Sequence, residues 1–378
     1  MKKNFLKIVF FVLFFLLALQ LFLLITGENG KDEGRPFRSD KEEPANKEEI
    51  PKHHSYFSQG ELEQESSHNQ ESSHNFMFFG DVMLDRNVAD LIDKKGLEYI
   101  LGGLAGEEDR FFKGADHVVA NLEGAVTDEG KHYRPHNIYD FAFDPSVVAG
   151  LKEYNFNFFN LANNHLADQG RSGIEETYKN LEQMDFGFSG CQDGKVEECS
   201  FKIVEKKGKD IGMAGFSMVY SSLNKEKLVA GIKDLKRKTD FVIVNMHWGV
   251  EYEHQFNQIQ QNMAHLLIDA GADAVIGHHP HVVQGMEIYK NRPIFYSLGN
   301  FIFDQYFSEA TQEGLSIGMN VEKEELNLFL MPFKSREGRP ELLKNNQKKD
   351  FLKKFTDWSS LSSEQQKEVL QGNMEIDL

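Results

Sequence analysis

Five short stretches of this chain place a carboxylate, an amide or an imidazole directly after an apolar run. Asp81 follows the run Phe76–Phe79, Glu123 closes HVVANLEG, and Asn164 with His165 closes NFFNLANNH. His247 ends DFVIVNMHWG, while His279 and His281 end DAVIGHHPH, where three histidines surround Pro280. With 14 histidines in 378 residues, chance rarely puts three into four positions. Carboxylate oxygen, amide oxygen and imidazole nitrogen together suit borderline or hard divalent cations such as Mn²⁺, Fe²⁺ or Zn²⁺. A spacing of two puts His279 and His281 on one side of an extended backbone, and Pro280 biases His279 away from helical angles. His278, between the strand and this pair, is read as pointing outward. Each residue alone has a plainer explanation: a turn cap, loop chemistry of Asn and Asp, or a satisfied core histidine. Five such coincidences at strand ends do not.

Bringing these residues together requires buried strands whose ends converge. Each apolar run is too short for a stable helix. Helical segments lie between them. DPSVVAGLKEY offers Asp144 as N-cap and Pro145 in the first turn. SGIEETYKNLEQM carries the capping-box pair Ser172 and Glu175. NQIQQNMAHLLIDAG sets Ile259, Met263, Leu266 and Leu267 on one face and stops at Gly271. Alternating strands and helices imply α/β layers on a largely parallel sheet, whose carboxyl edges gather loops along one side. FKIVEKKGKDIGMAGF and MEIYKNRPIFYSLGNF read as hairpins turning near Gly208 and at Asn291. After Phe333 the chain turns polar, and residues 334–378 are expected as a peripheral tail with one short helix at 362–371.

The net charge of −17, with no dense Lys/Arg block outside the first residues, excludes nucleic acid as a partner, because phosphate backbones need a basic footprint. It also opposes adhesion to anionic polymers unless bound cations reverse the charge locally. At the N-terminus Lys2, Lys3 and Lys7 precede an apolar run from Ile8 to Ile25. As a helix that run would rise ~27 Å, close to a bilayer core. Its exit, Leu24-Ile25-Thr26-Gly27, is a poor cleavage site, which favours an uncleaved anchor over 1–27 above a cleaved signal. Either way the N-terminus stays cytoplasmic and the remainder lies outside. Residues 28–75 are charged and polar, include the tandem hexapeptide QESSHN, and are expected as a disordered linker ahead of a domain at 76–333. His68 and His74, one in each copy, are read as products of that duplication rather than as metal ligands. Cys191 and Cys199 are compatible with a disulfide outside the cytoplasm or with two free thiols.

In order and spacing, FFGDVML, ANLEG, NLANNHLADQG, MHWGVEY, IGHHPHVVQ and IFYSLGNFIFD resemble the CapA/PgsA family of capsule-synthesis proteins, over residues 76 to 320. The resemblance implies a part in poly-γ-glutamate synthesis and a fold similar to calcineurin-like metallophosphoesterases, a four-layer α/β/β/α sandwich behind a transmembrane helix and linker. It implies one or two divalent ions. Glu123, Asn164, His247 and His279 would hold one, and Asp81, Glu123 and His281 the other. His165 would serve as proton donor oriented by Asp168, with Asn300 and Asp304 lining the site. Where the phosphoesterase motif DxH has histidine, this chain has Met83, a poor donor that removes a ligand from the second ion. Three functions follow from the resemblance. The first is an accessory subunit that meets poly-γ-glutamate or another anionic envelope polymer beside membrane-embedded synthase subunits. The others are a metal-dependent hydrolase of γ-glutamyl amide or phosphoester bonds, and a non-enzymatic scaffold.

Overall fold

The structure is a computed structural model that describes residues 73–105, 112, 114–132, 139–322 and 325–378. The apolar segment Ile8–Ile25 and residues 28–72 of the expected linker lie outside the described residues. Among the described residues no helix is long and apolar enough to cross a membrane.

The chain opens with β1 (His74–Val82), α1 (Arg86–Lys95), α2 (Leu97–Ala105) and β2 (His117–Leu122). A small ribbon of β3 (Ala125–Val126) and β4 (Ala142–Phe143) leads to α3 (Pro145–Gly150), β5 (Phe156–Asn160), α4 (Gly170–Gln183) and β6 (Gly187–Ser189). Then come β7 (Phe201–Lys206), β8 (Lys209–Ser217), α5 (Lys225–Lys238), β9 (Phe241–His247), α6 (Gln258–Ala270) and β10 (Ala274–His278). The last part holds β11 (Val283–Tyr289), β12 (Arg292–Leu298), β13 (Asn300–Ile302), α7 (Glu309–Gln312), β14 (Glu313–Val321) and β15 (Glu325–Arg336). It finishes with β16 (Arg339–Leu342), α8 (Asn345–Trp358), α9 (Ser363–Gln371) and β17 (Asn373–Asp377).

Two mixed sheets result. One runs β16-β15-β14-β1-β2-β5-β6, with β13 added to β1 and β17 to β15; the other runs β11-β12-β10-β9-β8-β7. Period-two alternation along β1 shows how they stack. Phe76 and Phe78 enter a layer between the sheets with Ile243, Ile276 and Phe295, while Met77 and Phe79 face α1, α2 and α3 through Val88, Leu101 and Val148. The outer face of the second sheet packs Val242, Val244 and Tyr296 against α5 and α6 through Leu228, Ile232, Met263 and Leu267. Strands buried on both faces read as unbroken apolar runs, which is why these segments stood out in the sequence.

Register then aligns the strand ends. In the first sheet Asp81 sits opposite Asn121, and Asn121 opposite Asn160, along parallel strands. In the second, Ser217 and His278 flank His247, again in parallel. Close approach at this edge demands glycine. A Cβ on Gly80 would lie 1.8 Å from the Gly299 oxygen, and one on Gly215 would lie 2.4 Å from Asn160 Oδ1.

Both hairpins form with two-residue loops, Lys207-Gly208 and Lys290-Asn291, all four residues at positive φ as such tight turns require. Asp144 caps α3, although the helix yields to a 3₁₀ turn at Leu151–Tyr154. Ser172 does not cap α4, which starts at Gly170 behind Gln169 without a side-chain cap. On α6, Ile259 is 65 % exposed and Gln260 takes the inner position. Gln260 can be buried because its amide is satisfied, accepting from Asn257 N–H and donating to Gln284 Oε1. Cys191 and Cys199 are joined as a disulfide, with Cα atoms 5.4 Å apart.

Two boundaries differ from expectation. β1 already starts at His74, fully buried and paired with Val321, so the second QESSHN copy ends inside the fold. The segment after Phe333 is no peripheral tail. Phe351, Leu352 and Phe355 of α8, Val369 of α9, and Met374 and Ile376 of β17 join the layer between the sheets, and β17 pairs with β15. These apolar residues are sparse among lysines, but helical spacing on α8 and alternation on β17 put them all on the inner face.

Candidate metal centre

At the aligned strand ends, the side chains of both sheets meet. Asp81 and Glu123 have no exposed surface, and both carboxylates turn to Asn121. Asn121 Nδ2 donates to Asp81 Oδ1 at 2.8 Å and to Glu123 Oε2 at 3.3 Å, and lies 3.3 Å from His247 Nδ1. Its own oxygen accepts from Asn160 Nδ2 at 2.8 Å, which fixes the flip of the amide. His247 Nε2 donates to Asn164 Oδ1 at 2.7 Å, so the two ligand-type atoms meet head-on.

The HHPH segment closes the other side, though not in extended form. His279 has φ 97° and His281 φ 57°, a left-handed course that non-glycine residues rarely take. The pair reaches one site by a strained turn rather than by strand alternation, and such strain persists where surrounding contacts enforce it. His279 N–H donates to Asp81 Oδ2 at 3.3 Å. His281 Nδ1 donates to Asn300 Oδ1 at 2.9 Å, leaving Nε2 3.8 Å from Glu123 Oε1. His278 does not point outward. It is 1 % exposed, with Nδ1 3.6 Å from Asp81 Oδ1 and Nε2 3.5 Å from Asn245 Oδ1.

His165 stands at the edge of the centre. Its Nδ1 donates to Asp168 Oδ2 at 2.8 Å, its ring lies 4.5 Å from Phe141, and Nε2 is 3.7 Å from Glu123 Oε1. Asp168 also accepts from Phe141 N–H at 3.0 Å, so the carboxylate that orients the imidazole is itself fixed. Of the two residues expected to line the site, Asn300 is buried behind His281, and the Asp304 carboxylate is committed to Arg86 and Asn87. Met83 lies in the apolar core, its thioether accepting from Asp85 N–H.

Burial sets the electrostatics. It pushes Asp81 up to about 7 against the pull of its Asn121 and His279 hydrogen bonds. Glu123 is raised well above the usual carboxylate range, by burial first and then by the Asp81 charge. Burial lowers His278 and His281 to about 3 and His279 to about 4, and holds His247 well below the ordinary range. Glu123 Oε1, His278 Nδ1 and His279 Nδ1 are buried without a hydrogen-bond partner. Unpartnered polar atoms on and beside two desolvated carboxylates fit a dication, which needs ionised carboxylate and neutral imidazole. Among the described residues, two groups have ligand atoms mutually within 4.8 Å: Asp81, Glu123 and His247, and Glu251, His279 and His281.

Sequence reasoning missed Asn121, Glu251 and the inward turn of His278. Asn121 had a usable signal, since it lies two residues before Glu123 and strand alternation puts both on one side. Glu251 had none, because its place depends on a contact between two loops.

Fold and site together define a two-sheet α/β protein with a buried carboxylate–imidazole centre at the carboxyl ends of its parallel strands. The family model for bacterial capsule synthesis protein PGA_cap matches residues 75–305, and the chain belongs to that family. It is 31 % identical to the capsule biosynthesis protein CapA of Bacillus anthracis, over 69 % of this chain and 67 % of the relative. It is likewise 31 % identical to the PGA biosynthesis protein CapA of Bacillus subtilis, over 74 % and 75 %. Among solved structures, a hypothetical protein from Thermus thermophilus aligns at a TM-score of 0.41 with 17 % identity, covering 70 % of this chain and 95 % of that one. At that level the likeness defines neither fold nor activity.

Proposed function

We propose that this chain is a cell-surface capsule-synthesis protein that engages poly-γ-glutamate, or a similar anionic envelope polymer, at a divalent-metal centre. One observation carries the proposal: two fully buried carboxylates, Asp81 and Glu123, share one amide donor and face the imidazoles of His165, His278 and His281. Family membership and the CapA relatives support the capsule role. A chain of net charge −17 repels a polyanion, and a bound dication supplies the local reversal that contact needs.

Asp81, Glu123 and His247 would hold the ion, with Asn164, His279 and His281 completing the donor set for Mn²⁺, Fe²⁺ or Zn²⁺, one or two ions per chain. When bound, the metal supplies Lewis acidity and a water of lowered pKa. Asn121 orients both carboxylates. Asn300 holds His281 in the tautomer whose Nε2 keeps its lone pair free for a metal. His165, aimed by Asp168, can pass a proton to a leaving group at the edge of the centre.

That His165–Asp168 pair favours a second reading, a hydrolase of γ-glutamyl amide or phosphoester bonds on a metallophosphatase-like four-layer sandwich. A purely structural use of the metal, in a scaffold, needs no oriented imidazole. The N-terminal apolar segment would anchor the chain with its main domain outside, beside membrane-embedded synthase subunits. Metal analysis of the full chain, with cleavage assays on poly-γ-glutamate and a generic phosphodiester, tests the proposal. Bound Mn²⁺, Fe²⁺ or Zn²⁺ with polymer binding that a chelator abolishes is the expected result. Polymer binding unchanged by chelation would reject it.

A further inference from the structure

We propose that Glu251, His279 and His281 form a second divalent-cation site at the mouth of the buried centre, with Glu251 as its carboxylate donor. The inference rests on the metal centre proposed above and concerns how many ions it takes and through which residue. Asp81, Glu123 and His247 form a fully buried donor triple on their own. The atoms of Glu251, His279 and His281 form another, all within 4.8 Å of one another, with one exposed carboxylate over two buried imidazoles.

Local structure fixes this second group. Trp248 N–H donates to His278 O at 3.1 Å and Tyr252 N–H to Pro280 O at 2.8 Å, so the loop carrying Glu251 is tied to the HHPH turn at both ends. The tie runs through positive φ at Gly249, Tyr252, His279 and His281. Three of these four are not glycine, a conformational cost that surrounding contacts must maintain. An independent observation points to a ligand: His279 is 3 % exposed, and its Nδ1 has no hydrogen-bond partner. His281 is already oriented by Asn300. A site of two imidazoles and one carboxylate suits Mn²⁺ or Zn²⁺ and leaves positions open for water or a substrate oxygen. Because Glu251 is exposed, that open side faces solvent.

The experiment is metal titration of the full chain with Mn²⁺ and, separately, Zn²⁺, followed by elemental analysis of the dialysed protein. Wild type, Glu251→Ala, Glu251→Asp and His247→Ala are compared. Wild type is expected to take about two ions in a tighter and a weaker class. Glu251→Ala should weaken only the weaker class, by about tenfold or more, and Glu251→Asp should recover part of it. His247→Ala should weaken the tighter class. Equal stoichiometry and affinity in wild type and Glu251→Ala would overturn the proposal while leaving the buried centre standing. So would a single ion lost equally in Glu251→Ala and His247→Ala. Wild type that binds no ion at all would overturn the centre itself.

Discussion

Asn121 Nδ2 lies 2.8 Å from Asp81 Oδ1 and 3.3 Å from Glu123 Oε2, a single amide donor shared by two carboxylates from neighbouring strand ends. Its oxygen is taken by Asn160, so Asn121 sets the carboxylate geometry without offering the ion an atom of its own. Asn121→Ala should therefore lower metal affinity about 10- to 100-fold, the usual effect of removing a partner behind the ligands. Binding titrations check this. An affinity equal to wild type would mean that the carboxylates are positioned by the backbone alone.

His278 is buried against Asp81 rather than turned to solvent. Truncating a fully buried ring leaves a cavity, so His278→Ala should cost about 2–4 kcal/mol of stability. Denaturant unfolding reads the change directly. A loss under about 0.5 kcal/mol, typical of surface positions, would show that the ring does not pack there.

Much of the centre was legible because strand ends in parallel sheets announce themselves. Apolar runs closing on Asp81, Glu123 and His247 fixed both the strands and the polar residues they present. What stayed hidden depended on three-dimensional turns. The HHPH segment looked extended because Pro280 disfavours helix, yet His279 and His281 pass through positive φ. His278 still belongs to β10, two residues after Ile276 of the layer between the sheets, so strand alternation turns it inward. Composition misled at the C-terminus, where lysines surround Phe351, Leu352 and Phe355 and local polarity masks one apolar helix face. On α6 a hydrogen-bonded Gln260 displaced Ile259 from the core, which apolar spacing alone could not foresee.

The C-terminal elements therefore belong to the fold. A chain ending at Phe333 would expose the inner layer that Phe351, Phe355, Val369 and Met374 cover, and would leave β15 without β17. Each large apolar side chain removed takes with it about 1.5–3 kcal/mol of burial, and four of them approach the whole stability of a typical domain. The truncated chain should be recovered insoluble or lack cooperative unfolding. A soluble product with the wild-type melting temperature would contradict the packing.

His117 gives a pH dependence away from the centre. Its ring stacks on Phe76 at 4.9 Å, Nε2 has no hydrogen-bond partner, and burial lowers its pKa to about 4, with the Asp116 charge opposing. Between about pH 6.5 and 4 the unfolded chain therefore binds more protons than the folded one. Stability is full above about pH 6.5 and is lost as pH falls towards 4, by up to about 3 kcal/mol from this group. His117→Phe keeps the stack and should flatten that part of the acid limb in denaturant titrations at stepped pH. An unchanged slope would place the proton uptake elsewhere.

Whether the buried carboxylates exist to hold a cation is decided by metal content at constant fold. Glu123→Gln conserves shape and removes one charge at the junction of Asn121, His165 and His281. Elemental analysis of the full chain, purified from medium supplemented with Mn²⁺ and Zn²⁺, should find at least about one equivalent in wild type and well under half of that in Glu123→Gln, with circular dichroism unchanged. Equal metal in both proteins, or none in either, would contradict the metal centre.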